Sequence, residues 1–592
     1  MVTKDISRPK APISALEQNT NLRKDALGIA LISILVLLSW IPRARGPIDL
    51  RWDAGVYFVL GTSLAEGRGY RLLNEPGSIQ AIQYPPGLAA IVALHEALLR
   101  SSDPLLVGLW LRRSFLVLSL LYAIGAFLFG TLFIPRRYAL LLSAACVLNY
   151  QMYFLETLCF AEIPFAVCSV LFGYFYFKPN TGSVGRVLTP LAAIATYLMR
   201  TIGIALLIAW IADAAMRKQF RQAALRAAIA LVPVLFWQTY IHSVESSDNY
   251  RHPYYAYQRD LSLFYNVSYS TNVALKSPFQ PEQGVATRSD MLLRIVRNAV
   301  TMPSYLAEAI TAKEGFWIGH LTRINRLMRV IKLPEWSFRL VVVPLGLMVI
   351  GGIMWHLWRR EWLTPIYLSL TVGAICTTTW SGQFPRYLAP AEPFLLVVFL
   401  SFLLHVGTVL RRHFERLRTM ISVLIVSIAL FVLCESAVSC LVGYRNFRDG
   451  AVYYDVKGIR REYTLFHYSG ADSPSEKGLE WLAARANPNA VIAVSMPQWV
   501  YLKTGLKTVM PPLEANPLKA QQQIDTVPAS YVALDNLLME DDFNRRFPAL
   551  VRNSPDKWLL VYASPHGEFD IYERVGLKPR RKEERPVRPL RF

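Results

Sequence analysis

The feature that most constrains this chain is a series of apolar runs typical of helices that cross the roughly 30 Å hydrocarbon core of a bilayer. Arg200 falls in the middle of the sixth run, and an arginine at mid-bilayer is costly, so that run predicts two short helices meeting at the outer surface. The runs together predict about eleven to thirteen transmembrane helices. They cover residues 26–42, 86–100, 114–134, 138–155, 160–177, 188–213, 223–242, 338–359, 362–380, 388–409 and 418–442.

The composition agrees with a polytopic membrane protein. Hydrophobic residues make up 53% of the 592 residues and the mean hydropathy is +0.29, which is too apolar for an average water-soluble protein. Lys and Arg outnumber Asp and Glu by 63 to 42. Much of this excess lies in short loops and tails, where it indicates positive-inside topology and attraction to anionic lipid rather than nucleic-acid binding. The cysteines form no C-x-x-C pair, so no disulfide framework or zinc site is predicted.

The basic loops predict which segments face the cytoplasm. Residues 217–220, 359–361 and 411–418 are compact and basic, which the positive-inside rule places in the cytoplasm. The N-terminal residues 1–25 read as a cytoplasmic tail before an uncleaved first span, because no convincing cleavage site follows. The transmembrane domain is predicted over 26–442. The outer segments are then the first loop 43–85, the long loop 243–337, the short segment 381–387 and the chain after residue 442.

After residue 442 the sequence changes to that of a soluble α/β domain, predicted over 443–576. "SPSEKGLEWLAARA" has apolar residues at helical spacing, and "NAVIAVSM", "ASYVALD", "KWLLVYAS" and "FDIYERV" are typical of strands. Residues 577–592 are too charged and too rich in proline to pack, so they are predicted to be a disordered basic tail.

Ionisable and aromatic side chains recur where the predicted spans leave the membrane on the outer side. "RWDAGVYFVLGTSLAEGRGY" carries one acid after its tryptophan, and "QYPPG" follows it. Two glutamates lie in "NYQMYFLETLCFAEIPF", and arginines stand at span ends in "LMRTIG" and "GQFPRYLAPAEPF". Because ionisable groups at membrane depth are costly, each is a functional candidate that we expect to have a partner. The candidate site residues are Trp52, Asp53, Tyr57, Tyr84, Pro85, Glu156, Glu162, Arg200, Arg386 and Tyr387.

Each candidate also has a purely structural interpretation. Asp53 is compatible with a helix N-cap at the start of "DAGVYFVLGTSLAEG". Glu162 and Arg200 could form an internal ion pair that holds helices together, and Arg386 could anchor the chain at the interface. The tyrosine-rich loop 248–270 favours interfacial packing over stacking on a sugar.

The combination and order of these segments resembles the GT-C superfamily of integral-membrane glycosyltransferases. An N-terminal span is followed by "WDAGVYFVLGTSLAEGRGY", "YPPG", "YLMRTIG" and, near the last spans, "RYLAPAEPF". The chain is similar to the branch of protein O-mannosyltransferases and bacterial aminoarabinose and lipopolysaccharide-core sugar transferases. The resemblance covers most of residues 26–442. The tail "EWLAARANPNAVIAVSMPQWVYLKTGLKTV" also looks like the soluble domain of many bacterial members.

The resemblance implies inverting transfer of a sugar from a polyprenyl-phosphate carrier to a glycan, lipid or protein acceptor, at the outer face of a bacterial inner (plasma) membrane. The family's acid in the first loop corresponds to Asp53, which would remove the acceptor proton or orient the acceptor. Buried arginines suit a phosphate leaving group, and Arg200 and Arg386 are the candidates. Many members carry two adjacent acids in that loop, whereas this chain has Asp53 followed by Ala54. No carboxylate-pair metal site and no certain cofactor is therefore predicted, and a divalent metal stays open.

The sequence also bears on other functional classes. The sequence has no Walker A loop, no G-x-G-x-x-G before a helix and no H-E-x-x-H, which argues against an ATP-driven pump and a zincin protease. A lipid-linked-sugar flippase or transporter is the main alternative, and a degenerate scaffold that only binds is a third. If the charged candidates meet in one outward cavity, transfer is favoured, whereas charges along a path through the bilayer favour transport.

Overall fold

The computed structural model describes residues 15–178, 182–328, 332–447, 450–454, 459–466, 468, 472–536 and 541–576. Residues 1–14 of the predicted cytoplasmic tail and the predicted disordered tail 577–592 lie outside the described residues. Within them the chain forms a large bundle of helices followed by a small domain with a β-sheet, as the sequence predicts.

The helix bundle follows the apolar runs of the sequence. All the predicted runs are helical, and in the described part of the chain six helices are long and apolar enough to cross a membrane, with four shorter apolar helices beside them. The chain is therefore an integral membrane protein. Its helices are α1 Ala15–Trp40, α2 Asp53–Ala65, α3 Gly87–Leu99, α4 Pro104–Thr131, α5 Arg136–Leu148, α6 Tyr150–Leu155, α7 Glu162–Phe177, α8 Gly182–Met199, α9 Ile204–Met216, α10 Phe220–Glu245, α11 Asp248–Arg251, α12 Tyr269–Ala274, α13 Arg288–Ile310, α14 Glu314–Leu327, α15 Arg339–Trp358, α16 Leu363–Cys376, α17 Phe384–Leu388, α18 Glu392–His413 and α19 Arg418–Asn446.

The two ends of the bundle differ in character. One end carries the first loop 43–85 and the small domain, and we call it the loop end. At the other end, the basic end, Arg217 lies near Glu361, and Arg359 and Arg411 line one cavity. The basic end thus gathers the three loops whose charge predicts a cytoplasmic location.

The break predicted near Arg200 is confirmed. Helix α8 ends at Met199, a 3₁₀ turn covers Thr201–Gly203, and α9 begins directly after it. The turn packs tightly, because a Cβ on Gly203 would lie 2.6 Å from the carbonyl carbon of Thr196. Arg200, whose side chain is 19% exposed, therefore sits where the backbone leaves the helix rather than at the middle of a span.

Helix α3 corresponds to the run 86–100, which was predicted to cross the membrane, but α3 is too short to do so. Its 13 residues extend about 20 Å, less than the roughly 30 Å of the hydrocarbon core. Its first residue, Gly87, packs on the carbonyl of Leu198 beside the break. Helix α4 then begins at the same loop end, where Leu105 packs against Tyr463 of the small domain. We therefore place α3 at the membrane surface.

The long segment 243–337, predicted as an outer loop, contains several helices. Helix α13 begins with a capping box between Thr287 and Asp290, which satisfies the first free N–H groups of the helix. One side of α13 packs on α15 and α16. Leu292 and Val296, one turn apart on α13, are exposed, which is typical of a helix lying in the interface plane.

The small domain contains a five-stranded sheet in the order β4-β3-β5-β7-β6. Strands β3, β4 and β5 are parallel, and β7 and β6 add antiparallel at one edge. The one predicted helix and all four predicted strands are present, and a two-stranded hairpin precedes them. The elements are β1 Gly450–Tyr454, β2 Arg460–Thr464, α20 Asp472–Arg485, β3 Val491–Ala493, α21 Pro497–Thr504, β4 Lys507–Val509, α22 Pro517–Ile524, β5 Ala529–Asp535, α23 Asp541–Arg552, β6 Trp558–Ala563 and β7 Phe569–Arg574.

The small domain is fixed to the first loop by buried polar contacts. Arg51 pairs with Asp49 at 2.7 Å and with Asp472 of α20 at 3.2 Å, and all three side chains are buried. The amide of Thr508 in β4 donates to the carbonyl of Asn74 at 2.8 Å. These contacts hold the start of α2, two residues after Arg51, against both parts of the molecule.

Candidate active site

Four helix ends meet at the loop end of the bundle. Asp53 is the first residue of α2, Glu162 is the first residue of α7, Arg200 lies in the break between α8 and α9, and Arg386 lies in the short helix α17. Helix N-termini favour negative charge, because the first N–H groups are unpaired and carry partial positive charge. Both acids therefore stand at positions where the helices themselves stabilise carboxylates.

The backbone just before Asp53 is unusual. Trp52 has φ +55° and ψ −136°, a conformation that non-glycine residues rarely adopt and that costs about 1–3 kcal/mol. Its ring packs edge-on to Phe154 at 6.1 Å, and the guanidinium of Arg51 lies 4.9 Å from the ring centroid. The packed ring stabilises this backbone conformation, which in turn orients the Asp53 side chain.

Arg386 joins the two acids. Its Nη2 lies 2.8 Å from Oδ2 of Asp53, and its Nε lies 2.5 Å from Oε1 of Glu162. The guanidinium also covers the ring of Phe160 at 4.2 Å, an arrangement that favours a desolvated cation. Arg386 and Asp53 each keep 16% of their side-chain surface exposed, so both remain accessible to a small molecule.

Glu162 is buried and pairs with both arginines of the cluster. Its side chain is fully buried, and its Oε1 also accepts from Nη1 of Arg200. Its second oxygen, Oε2, has no hydrogen-bond partner among the described residues. One carboxylate thus orients two arginines, and Arg200 stays 19% exposed.

Tyrosines form one wall around this cluster. The rings of Tyr57 and Tyr84 lie 4.8 Å apart, and the ring of Tyr387 lies 5.8 Å from the Arg200 guanidinium. The hydroxyl of Tyr70 donates to the backbone carbonyls of Tyr84 at 3.0 Å and Pro85 at 3.3 Å. These contacts hold the "YPPG" turn beside α2.

The arrangement does not fit a divalent metal held by the two acids. Asp53 and Glu162 both pair with Arg386, and a guanidinium between two carboxylates occupies the position that a cation would need. Among the described residues no cluster of three or more His, Cys, Asp or Glu side chains is placed to hold a metal ion.

Comparison with solved structures identifies the fold. The crystal structure of the Archaeoglobus fulgidus oligosaccharyltransferase in the apo form superposes over 95% of this chain and 76% of its own, with a TM-score of 0.50 and 13% identity. The same enzyme tethered to an acceptor peptide covers 93% and 74%, with a TM-score of 0.50 and 12% identity. The chain has a GT-C fold.

ArnT from Cupriavidus metallidurans, in the apo state, covers 94% of this chain and 98% of its own at a TM-score of 0.48 and 12% identity. No protein-family model and no curated protein sequence matches the chain.

Within the GT-C fold, the predicted site residues fall into two groups. One group is a connected network of Asp53, Glu162, Arg200 and Arg386. The ion pair between Glu162 and Arg200, which the sequence analysis considered, is present in it. The cap interpretation of Asp53 is wrong, because Asp53 is the first residue inside α2 and Arg386 binds its carboxylate. The residues around the network are Trp52, Tyr57, Tyr84, Pro85 and Tyr387.

Glu156 is not part of this network. It pairs instead with Arg43 at 2.8 Å, and both side chains are almost fully buried. The Arg43 guanidinium also lies 3.8 Å from the ring centroid of Tyr153 and donates to its carbonyl. The prediction that Glu156 is a site residue is therefore wrong, because a basic residue more than a hundred positions earlier neutralises it in a separate buried pair.

Tyr265 is a site residue that the sequence did not reveal. Its hydroxyl donates to Oδ1 of Asp53 at 3.1 Å, whereas Arg386 donates to the other carboxylate oxygen, Oδ2. Burial, and then the negative charge of Asp53, raises the pKa of Tyr265 well above its usual value, so the phenol stays a proton donor. Tyr265 belongs to the tyrosine-rich loop 248–270, and only the fold shows which of its rings reaches the acid.

Proposed function

We propose that this chain is an inverting glycosyltransferase that moves a sugar from a polyprenyl-phosphate carrier to an acceptor on the extracytoplasmic side of a bacterial inner membrane. The observation that carries the proposal is the network in which Asp53 and Glu162 are joined through Arg386, with Arg200 beside it. It combines a partly exposed carboxylate with two fixed, partly exposed guanidinium groups. General-base chemistry and binding of a phosphate leaving group need those two components side by side.

The arginines would bind the phosphate of the donor. Arg386 donates through Nε to Glu162 and through Nη2 to Asp53, and Arg200 donates through Nη1 to Glu162. An arginine carries five N–H donors, so each keeps donors free for phosphate oxygens. Because Glu162 already fixes both guanidinium groups, little side-chain freedom is lost when the donor binds.

Asp53 would act on the acceptor. The acceptor hydroxyl donates its proton to the Asp53 carboxylate as its oxygen attacks the anomeric carbon of the sugar. The bond from that carbon to the phosphate oxygen breaks on the opposite face, which inverts the configuration. The leaving polyprenyl phosphate takes the electron pair, and Arg200 and Arg386 stabilise the charge that develops on it. An acceptor that is already ionised would need Asp53 only to orient it.

The transport alternative is less well supported by the same geometry. A flippase that used these charges would carry them along a path through the bilayer. Asp53, Glu162, Arg200 and Arg386 instead meet at one end of the bundle, under the first loop and the small domain. That position favours chemistry at one surface.

The test is a transfer assay with the purified protein and a polyprenyl-phosphate sugar, read out by mass spectrometry of the acceptor. We expect acceptor glycosylation together with release of polyprenyl phosphate. In parallel, proteoliposomes are assayed for movement of the same lipid between leaflets. Movement of the lipid without any release of polyprenyl phosphate would replace the proposal with the transport alternative.

A further inference from the structure

A cavity lies at the opposite end of the molecule from the candidate active site. It has a volume of about 590 Å³ and is lined by the ends of α15 and α18 and the starts of α5 and α19. Helix α18 begins at Glu392, six residues after Arg386, and the cavity is lined by its residues Ser401 and Arg411. At 1.5 Å per residue, those two positions lie about 14 and 28 Å further along the helix. The cavity is therefore separate from the network around Asp53.

The charge of this cavity is strongly one-sided. Arg137, Arg359 and Arg411 line it together with His405, and no acidic residue is among the described residues that line it. Arg359 has one acidic partner, Glu361 at 3.2 Å. A concave, positively charged site at the edge of a membrane attracts anionic groups.

Three hydrogen bonds fix the Arg411 guanidinium in an orientation that can bind an anion. Its Nε donates to the carbonyl of Gly407 at 3.1 Å, its Nη1 to the hydroxyl of Ser422 at 3.2 Å and its Nη2 to the hydroxyl of Thr408 at 3.3 Å. All three acceptors are neutral, so they fix the guanidinium without cancelling its charge. Fixed guanidinium groups suit phosphate oxygens, which they bind through parallel N–H donors.

The walls of the cavity suit the rest of a lipid molecule. Trp355 and His405 stack with ring centroids 4.8 Å apart, and aromatic rings of this kind are typical of the head-group level of a membrane. Val426 of α19 lines the cavity and is itself exposed, and Val423, one turn away, is more exposed still. The cavity therefore continues onto an apolar helix face along which a hydrocarbon chain can lie.

We propose that this cavity is a binding site for a membrane lipid with an anionic phosphate head group, bound at the basic end of the bundle. The phosphate lies against Arg137, Arg359 and Arg411, and the hydrocarbon chain lies along α19. The phosphate belongs either to an anionic phospholipid, as a diester, or to a polyprenyl phosphate, as a monoester. The site does not depend on the transferase proposal, because it shares no residue with the candidate active site.

The test is native mass spectrometry of the purified protein in neutral detergent. Phosphatidylglycerol, undecaprenyl phosphate, phosphatidylcholine and inorganic phosphate are added separately. The variant is Arg137→Gln with Arg359→Gln, two exposed positions at the mouth of the cavity. The control is Arg412→Gln with Arg416→Gln, which removes the same charge from exposed residues nearby that do not line the cavity.

We expect one phosphatidylglycerol or one undecaprenyl phosphate to bind the wild type at least ~10-fold more tightly than the variant, since each lost arginine weakens attraction to the head group. Whichever of the two binds more tightly identifies the source of the phosphate. The control should bind within about two-fold of the wild type. Equal losses in variant and control, equal binding of phosphatidylcholine, or binding of inorganic phosphate alone would each overturn the proposal. If the double variant does not fold, Arg137→Gln alone gives the same comparison.

Discussion

At the scale of single residues, the candidate active site consists of two acids that pair with two arginines. Glu162 is fully buried and Arg386 touches both acids, so removing either leaves a charge without its partner. Losing one member of a buried pair is far more damaging than the pair is stabilising, because the remaining charge stays desolvated. The effects of substitution should therefore depend strongly on which partner is removed.

Arg386→Ala should weaken donor binding more than acceptor binding. The change removes charge-assisted hydrogen bonds to the phosphate, each worth about 1.5–3 kcal/mol, which corresponds to roughly 10- to 150-fold in the donor KM. Arg200→Ala should act in the same direction. The measurement is the KM for donor and for acceptor in the transfer assay. An equal rise in both constants would assign these arginines a structural role instead.

Tyr265→Phe should lower the transfer rate while the protein remains folded. The loss of one hydrogen bond to Asp53 is expected to cost about 1 kcal/mol, or roughly five-fold in kcat. The matched control is Tyr254→Phe, because Tyr254 lies in the same loop and is 61% exposed. If both variants keep the wild-type rate, Tyr265 contributes only packing.

At the scale of elements, the break between α8 and α9 places Arg200. Gly203→Ala should therefore reduce both stability and transfer, because its Cβ would lie 2.6 Å from backbone atoms of Thr196. Such overpacking costs about 1–3 kcal/mol. Gly373→Ala in α16 is the control, since nothing lies within 4 Å of its Cβ position. Thermal unfolding in detergent should show a lower Tm for Gly203→Ala alone, and a matching drop in both variants would contradict this account.

The same elements show how far the sequence could be used. Apolar runs predicted the bundle helices, and short strand-like runs predicted four strands, because both signals are local. The cost of a charge at mid-bilayer was enough to predict the break at Arg200. The surface position of α3 and the ion pair of Glu156 with Arg43 were missed. They depend on contacts between segments far apart in the chain, and no local pattern encodes such contacts.

At the scale of the whole molecule, the small domain and the bundle are joined through the first loop. Arg51 pairs there with Asp49 and with Asp472, and all three side chains are buried. Because Asp53 follows two residues later, the position of the small domain bears directly on the candidate active site.

Arg51→Ala should loosen this junction. It removes the arginine that pairs with two buried carboxylates, and breaking a buried ion pair typically costs about 3–5 kcal/mol. We expect faster proteolysis within the first loop and a lower Tm. The control is Arg68→Ala, since Arg68 pairs with Glu66 on the exposed surface and surface pairs contribute little. Equal protease resistance of the two variants would show that the junction does not depend on Arg51.

The most direct test of the central claim is sugar transfer by Asp53→Asn. The amide keeps the size of the side chain and cannot accept the acceptor proton. The control is Glu66→Gln, the same change at an exposed position at the end of α2. The account predicts that Asp53→Asn inserts and folds, still binds the donor, and forms no product, while Glu66→Gln keeps the wild-type rate. Wild-type turnover by folded Asp53→Asn would contradict it.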